Sequence, residues 1–102
     1  MGTFVKVAEH GELGEDSAKL VEIEGRKIAL IRTGDKYYAL DNTCTHRGGP
    51  LAEGFVTSGE VQCPWHGAHF DLKTGAATRP PAAHAVTAYP VRVEGNDIEI
   101  EL

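Results

Sequence analysis

Two cysteines, one tryptophan and one methionine are all that this 102-residue chain has of those residue types. Cys44 and Cys63 cannot make a disulfide framework beyond a single bridge, and without an export signal they are expected to stay reduced. Long apolar runs are missing. No stretch of about 18 apolar residues is present, so no membrane span is expected. The first ten residues lack a basic segment followed by an apolar one, and a secretory signal is not expected. The chain reads as cytoplasmic. Basic excess is missing too: the net charge is −5, which argues against non-specific nucleic-acid binding. That charge reads first as a solvated face, and second as a docking patch for a basic protein partner. No Gly-rich dinucleotide fingerprint occurs, so unaided oxidation of a nicotinamide cofactor is not expected. No window of ten residues carries helical periodicity.

What is present is β-patterning within a single domain, residues 1–102. Phe4, Val5 and Val7 suggest a first strand, and Glu9–Asp16 a loop with room for one helical turn. Lys19–Ile23 and Lys27–Arg32 flank a turn at Glu24-Gly25, and Lys36–Leu40 follows a turn at Thr33-Gly34-Asp35. Tyr89–Val93 and Ile98–Leu102 form a closing hairpin around Glu94–Asp97, with Ile98, Ile100 and Leu102 alternating with glutamates. Residues 42–83 differ. Gly48, Gly49, Pro50, Gly54, Gly59 and Pro64 begin a run of turn formers that Gly67, Gly75, Pro80 and Pro81 continue. Such density predicts a loop-rich insert on an all-β, antiparallel base, and long loops in a small domain usually carry function.

The insert holds Cys44-Thr45-His46 and, after a gap, Cys63-Pro64-Trp65-His66. Each segment offers one thiolate and one imidazole. Four N/S ligands suit a tetrahedral Zn²⁺ or a [2Fe–2S] cluster, and count alone leaves both open. The mixed pairs on two Gly/Pro loops, with no helix to carry histidines, favour two irons: each loop can give its cysteine to one and its histidine to the other. Two thiolates neutralise the two positive charges of an oxidised [2Fe–2S] core. The site then accepts an electron more readily than a four-thiolate dianion would.

Cys44-Thr45-His46-Arg47-Gly48-Gly49-Pro50-Leu51 and Cys63-Pro64-Trp65-His66-Gly67-Ala68-His69-Phe70-Asp71 resemble the two cluster-binding boxes of Rieske proteins. The similarity is greatest to the small ferredoxins of multicomponent aromatic-ring dioxygenases. It implies a Rieske fold, an antiparallel β-sandwich base with a cluster-binding subdomain at about 42–83. It also implies that Cys44 and Cys63 bind the inner iron, and His46 and His66 the outer one. The implied role is one-electron transfer from a ferredoxin reductase to a terminal oxygenase, with no catalytic site of its own. A small Rieske subunit of a larger redox enzyme such as nitrite reductase is the second reading, and a structural zinc module the third.

Departures from the family refine this. Respiratory Rieske proteins usually carry a further cysteine in each box, joined as a disulfide. Those positions are Gly49 and Trp65 here. Where high-potential members have a serine and a tyrosine, this chain has Ala68 and Phe70, which lack hydroxyl donors to the cluster sulfurs. A midpoint toward the low end of the Rieske range of roughly −150 to +300 mV follows. His69 occupies a non-ligand position of its box, His10 and His84 read as surface residues, and Trp65 as a packing, shielding or docking group.

Overall fold

Tight turns set the register of the largest sheet. The computed structural model describes residues 3–44, 48–57, 59–65, 67–80 and 84–102. Strands β2 (Ser17–Ile23) and β3 (Arg26–Thr33) are joined by Glu24-Gly25, and both residues have positive φ (51° and 80°). That is the type I′ pattern, whose twist matches the flanking strands. β3 then turns through Gly34 (φ 60°) and Asp35 into β4 (Lys36–Asp41), pairing Thr33 with Lys36. Glycine leading a two-residue loop is the type II′ signature.

Among the described residues three antiparallel sheets result. The first is β1 (Phe4–Glu9), β11 (Asp97–Glu101) and β10 (Val91–Glu94), in the order β1-β11-β10. The second runs β2-β3-β4-β9, with β9 at Ala88–Tyr89. The third is β5 (Phe55–Thr57), β6 (Glu60–Gln62), β7 (His69–Asp71) and β8 (Ala77–Arg79), in sequential order. The expected all-β, antiparallel architecture is found.

The second sheet lies between two cores. Alternate residues of β3 face opposite ways. Ile28 and Leu30 join Tyr37, Ala39, Ile98 and Ile100 on the base side. Ala29 and Ile31 join Leu40, Leu51, Val61, Phe70 and both cysteines on the other. All four residues from Ile28 to Ile31 are fully buried. Burying an isoleucine or leucine side chain contributes roughly 1.5–3 kcal/mol, so this strand anchors the base and the cysteine-bearing end together.

Three sequence expectations change. The insert is not merely loops: its four strands are three residues each, too short to show two-fold patterning, and they run between glycine turns. The strand expected over Tyr89–Val93 is split by Pro90, which has no N–H to give to a ladder. Residues before it pair with β4 and those after it with β11, while the Pro90 carbonyl accepts the Glu101 N–H at 2.9 Å. Residues 10–13 form turns and a bend rather than a helical turn. Leu13 is buried there, and its carbonyl accepts from Arg32 Nη1 at 2.7 Å.

Asn42 closes the passage from β4 into the insert. It is buried, and its N–H donates to the Lys27 carbonyl at 3.0 Å. Its own carbonyl accepts the Leu51 N–H at 2.7 Å, and its Oδ1 accepts the Ala52 N–H at 2.8 Å. This draws the 3-10 turn Leu51–Glu53 back to the strand end and shapes the loop between. Asn42→Ala should cost about 1–3 kcal/mol, the usual consequence of orphaning a partly buried donor. Urea denaturation of the two proteins measures it, and an unchanged midpoint of unfolding would contradict the assigned role.

Candidate metal centre

Each cysteine opens a loop of six residues that its own backbone closes. The Cys44 N–H donates to the Gly49 carbonyl at 2.9 Å, and the Cys63 N–H donates to the Ala68 carbonyl at 2.7 Å. Both are bonds from residue i to residue i+5, so the two segments are closed alike. The first is tightened by the Gly48 N–H on the Cys44 carbonyl (2.8 Å) and a bridge between Thr43 and Pro50. Gly48 and Gly67 have positive φ (77° and 76°), which glycine adopts without the penalty that a Cβ brings.

The loops meet at their sulfurs. Cys44 and Cys63 are free thiols, 2% and 1% exposed, and they share one buried core cluster. Gly49 makes this possible. A Cβ at Gly49 would stand 2.6 Å from Cys63 Sγ and 3.0 Å from Trp65 Cγ. The residues at the two positions of the family's cross-loop disulfide are therefore in contact. The half-exposed Trp65 ring covers Gly49 where a covalent clamp is lacking.

Burial pushes the Cys63 thiol above its ordinary pKa, and the adjacent Cys44 thiol adds to that, while the Trp65 N–H opposes both. That N–H points at Cys63 Sγ over 3.4 Å. A buried thiol that resists ionisation alone, beside a second buried cysteine, is a natural partner for a metal cation, which draws off thiol protons on binding. The donor set fits an iron–sulfur group: paired soft sulfurs, one backbone N–H already aimed at sulfur, and a glycine-walled approach. When bound, such a group supplies a one-electron couple.

The remaining site residues fall as follows. His46 and His66, with Thr45 and Arg47, lie outside the described residues. Among the described residues no three His, Cys, Asp or Glu side chains converge on a metal position. Ala68 and Phe70 are fully buried, and Phe70 packs in the core cluster that holds both cysteines. His69 lies on the sheet's outer side and shares a hydrogen bond between its Nδ1 and Glu60 Oε1, 3.1 Å apart. His10 is exposed and shares one between Nδ1 and the Tyr37 hydroxyl at 2.9 Å. His84 is exposed. Sequence reasoning missed Asn42 and Gln62. Gln62 directly precedes Cys63, and its Nε2 lies 3.2 Å from where a Cβ on Gly67 would be. A polar residue next to each cysteine box was the available signal.

Similarity to known proteins agrees with this geometry. A naphthalene 1,2-dioxygenase system ferredoxin component from Pseudomonas aeruginosa is 36% identical over 91 residues, 89% of this chain and 88% of that one. The 3-phenylpropionate/cinnamic acid dioxygenase ferredoxin subunit of Escherichia coli K12 is 45% identical over 76 residues, 74% of this chain and 72% of its own. Among solved structures, the ferredoxin of carbazole 1,9a-dioxygenase from Nocardioides aromaticivorans IC177 superposes with a TM-score of 0.92. Its identity is 35%, over 96% of each chain. Residues 3–90 match the Rieske [2Fe-2S] domain, and the chain belongs to that family.

Proposed function

We propose that this chain is a one-electron carrier that takes electrons from a ferredoxin reductase and delivers them to a terminal oxygenase of the aromatic-ring dioxygenase type. One [2Fe–2S] cluster is held by Cys44 and Cys63 on one iron and His46 and His66 on the other. The whole chain is one Rieske domain acting in the cytoplasm, with the cluster in the part spanning about 42–83. The observation that carries the reading is the pair of matched six-residue loops, each opened by a buried thiol and brought together over Gly49. Each thiol is two or three residues from one of the two histidines in the sequence. The named relatives are ferredoxin components of such systems. Among the described residues no helix is long and apolar enough to cross a membrane.

Metal and sulfide analysis tests the cluster directly. The expected result is about two irons and two labile sulfides per chain. One zinc and no visible absorption would sink the proposal. Histidine ligation is read separately, from nitrogen hyperfine coupling in the reduced protein labelled with ¹⁵N-histidine. Coupling to two histidine nitrogens is expected, and its absence would remove His46 and His66 from the ligand set. For the role, turnover of an oxygenase should stop when this chain is omitted from a reductase–oxygenase mixture.

A further inference from the structure

Four large apolar side chains stand exposed among the described residues: Leu20, Phe55, Trp65 and Val93. Leu20 on β2 and Val93 on β10 belong to the base. Phe55 and Trp65, 64% and 49% exposed, belong to the cysteine-bearing end. Phe55 starts the edge strand β5 opposite Gln62. The Gln62 side chain reaches Gly67, in the same loop as Trp65. Gln62 thus links Phe55, its cross-strand partner, to the loop that carries Trp65.

Charge is sorted along the chain in the same sense. Between residues 42 and 83 the acids Glu53, Glu60 and Asp71 are balanced by Arg47, Lys73 and Arg79. The entire net charge of −5 is therefore carried by the remaining residues. Interface centres are depleted in charge and enriched in aromatic side chains, and a few such anchors carry most of the binding energy.

We propose that Phe55 and Trp65 are the apolar anchors on which the electron acceptor docks, and that this acceptor presents an apolar, weakly charged hollow. It is the terminal oxygenase of the reading above, on which this inference rests. The acidic excess is then the solvated face of the base and not the docking patch. A carrier must also leave after transfer, and a small contact centred on two aromatics suits a transient complex.

The holoprotein, reduced with dithionite, is mixed in single-turnover experiments with the oxygenase components of the naphthalene, 3-phenylpropionate and carbazole dioxygenase systems. Phe55→Ser alters an exposed edge-strand side chain and should raise the half-saturating concentration at least about tenfold. Its limiting rate, visible spectrum and midpoint potential should stay as in the parent. Leu20→Ser and Val93→Ser, also exposed but on the base, should remain within about twofold of the parent. Raising NaCl from about 0.05 to 0.5 M should shift half-saturation by less than about threefold, whereas charge-steered docking would weaken steeply. An unchanged value for Phe55→Ser, an equal loss in the base variants, or a steep salt dependence would overturn the docking surface alone. No transfer from the unaltered holoprotein to any of the three oxygenases would overturn the carrier reading with it.

Discussion

Gly49→Ala should give a folded protein that holds less than about a tenth of the parent's cluster. The added methyl would lie 2.6 Å from Cys63 Sγ, well inside any van der Waals separation, and 3.0 Å from Trp65 Cγ. The indole is half-exposed and can swing aside. The sulfur cannot: it is buried, and its residue is fixed by the bond from its N–H to the Ala68 carbonyl. Relief therefore comes from moving the first loop away from the second, which separates the two thiols. Ligand positions must hold to within about 0.5 Å for a preorganised metal site, so a shift of this kind is disabling. The two cores lie mostly outside this contact and should survive. Iron content and visible absorption after reconstitution, with circular dichroism as the fold control, measure the outcome. Gly48→Ala is the internal comparison. Its Cβ would be 3.8 Å from the nearest atom, so only the positive φ is penalised, at about 1–2 kcal/mol. That variant should keep its cluster. A full complement of iron in Gly49→Ala would show that the loops have slack which the contact distances deny.

Restoring two hydroxyls should raise the midpoint potential by on the order of 100 mV. A donor to a cluster sulfur favours the reduced state, because the sulfurs carry more negative charge once the electron has arrived. A net contribution of about 1 kcal/mol per hydrogen bond to that state corresponds to about 40 mV, since ~1.4 kcal/mol equals ~59 mV for one electron. Ala68 and Phe70 are fully buried, so hydroxyls placed there would be shielded from water. Phe70 already shares a core cluster with Cys44 and Cys63. In the double variant Ala68→Ser, Phe70→Tyr, potentiometry should show the upward shift, with the single variants each giving part of it. The competing outcome is physical and visible: a tyrosine hydroxyl that finds no sulfur would cost about 1–3 kcal/mol of stability and leave the potential where it was. That result would remove the hydroxyls as the cause of a low midpoint.

The chemistry of this protein is written locally. A thiol and an imidazole two or three residues apart, twice, mark a candidate ligand set before any folding is known, and turn signals are local in the same way. Gly25 and Gly34 supply positive φ at no steric cost in the type I′ and II′ turns that fix the register of β2, β3 and β4, while Glu24 is held at positive φ between the paired strands. The all-β class and the four ligand candidates were thus legible from residue identities, and the resemblance to Rieske proteins added the absent cross-loop cysteine pair and the missing hydroxyls at Ala68 and Phe70.

Tertiary structure decided what depends on facing surfaces. Alternation along β3 shows that its side chains point two ways, but not that both sides are buried by different layers. Strands of three residues are held by their neighbours and by burial of Val61 and Phe70, so the third sheet left no periodic trace. Pro90 divides one expected strand between two sheets because the missing N–H matters only once a ladder partner exists. Gly49 and Trp65 lie sixteen positions apart, and only folding sets them against each other and against Cys63. Contacts between distant residues follow from packing, which a local pattern does not encode; ligand chemistry needs no packing to be recognised.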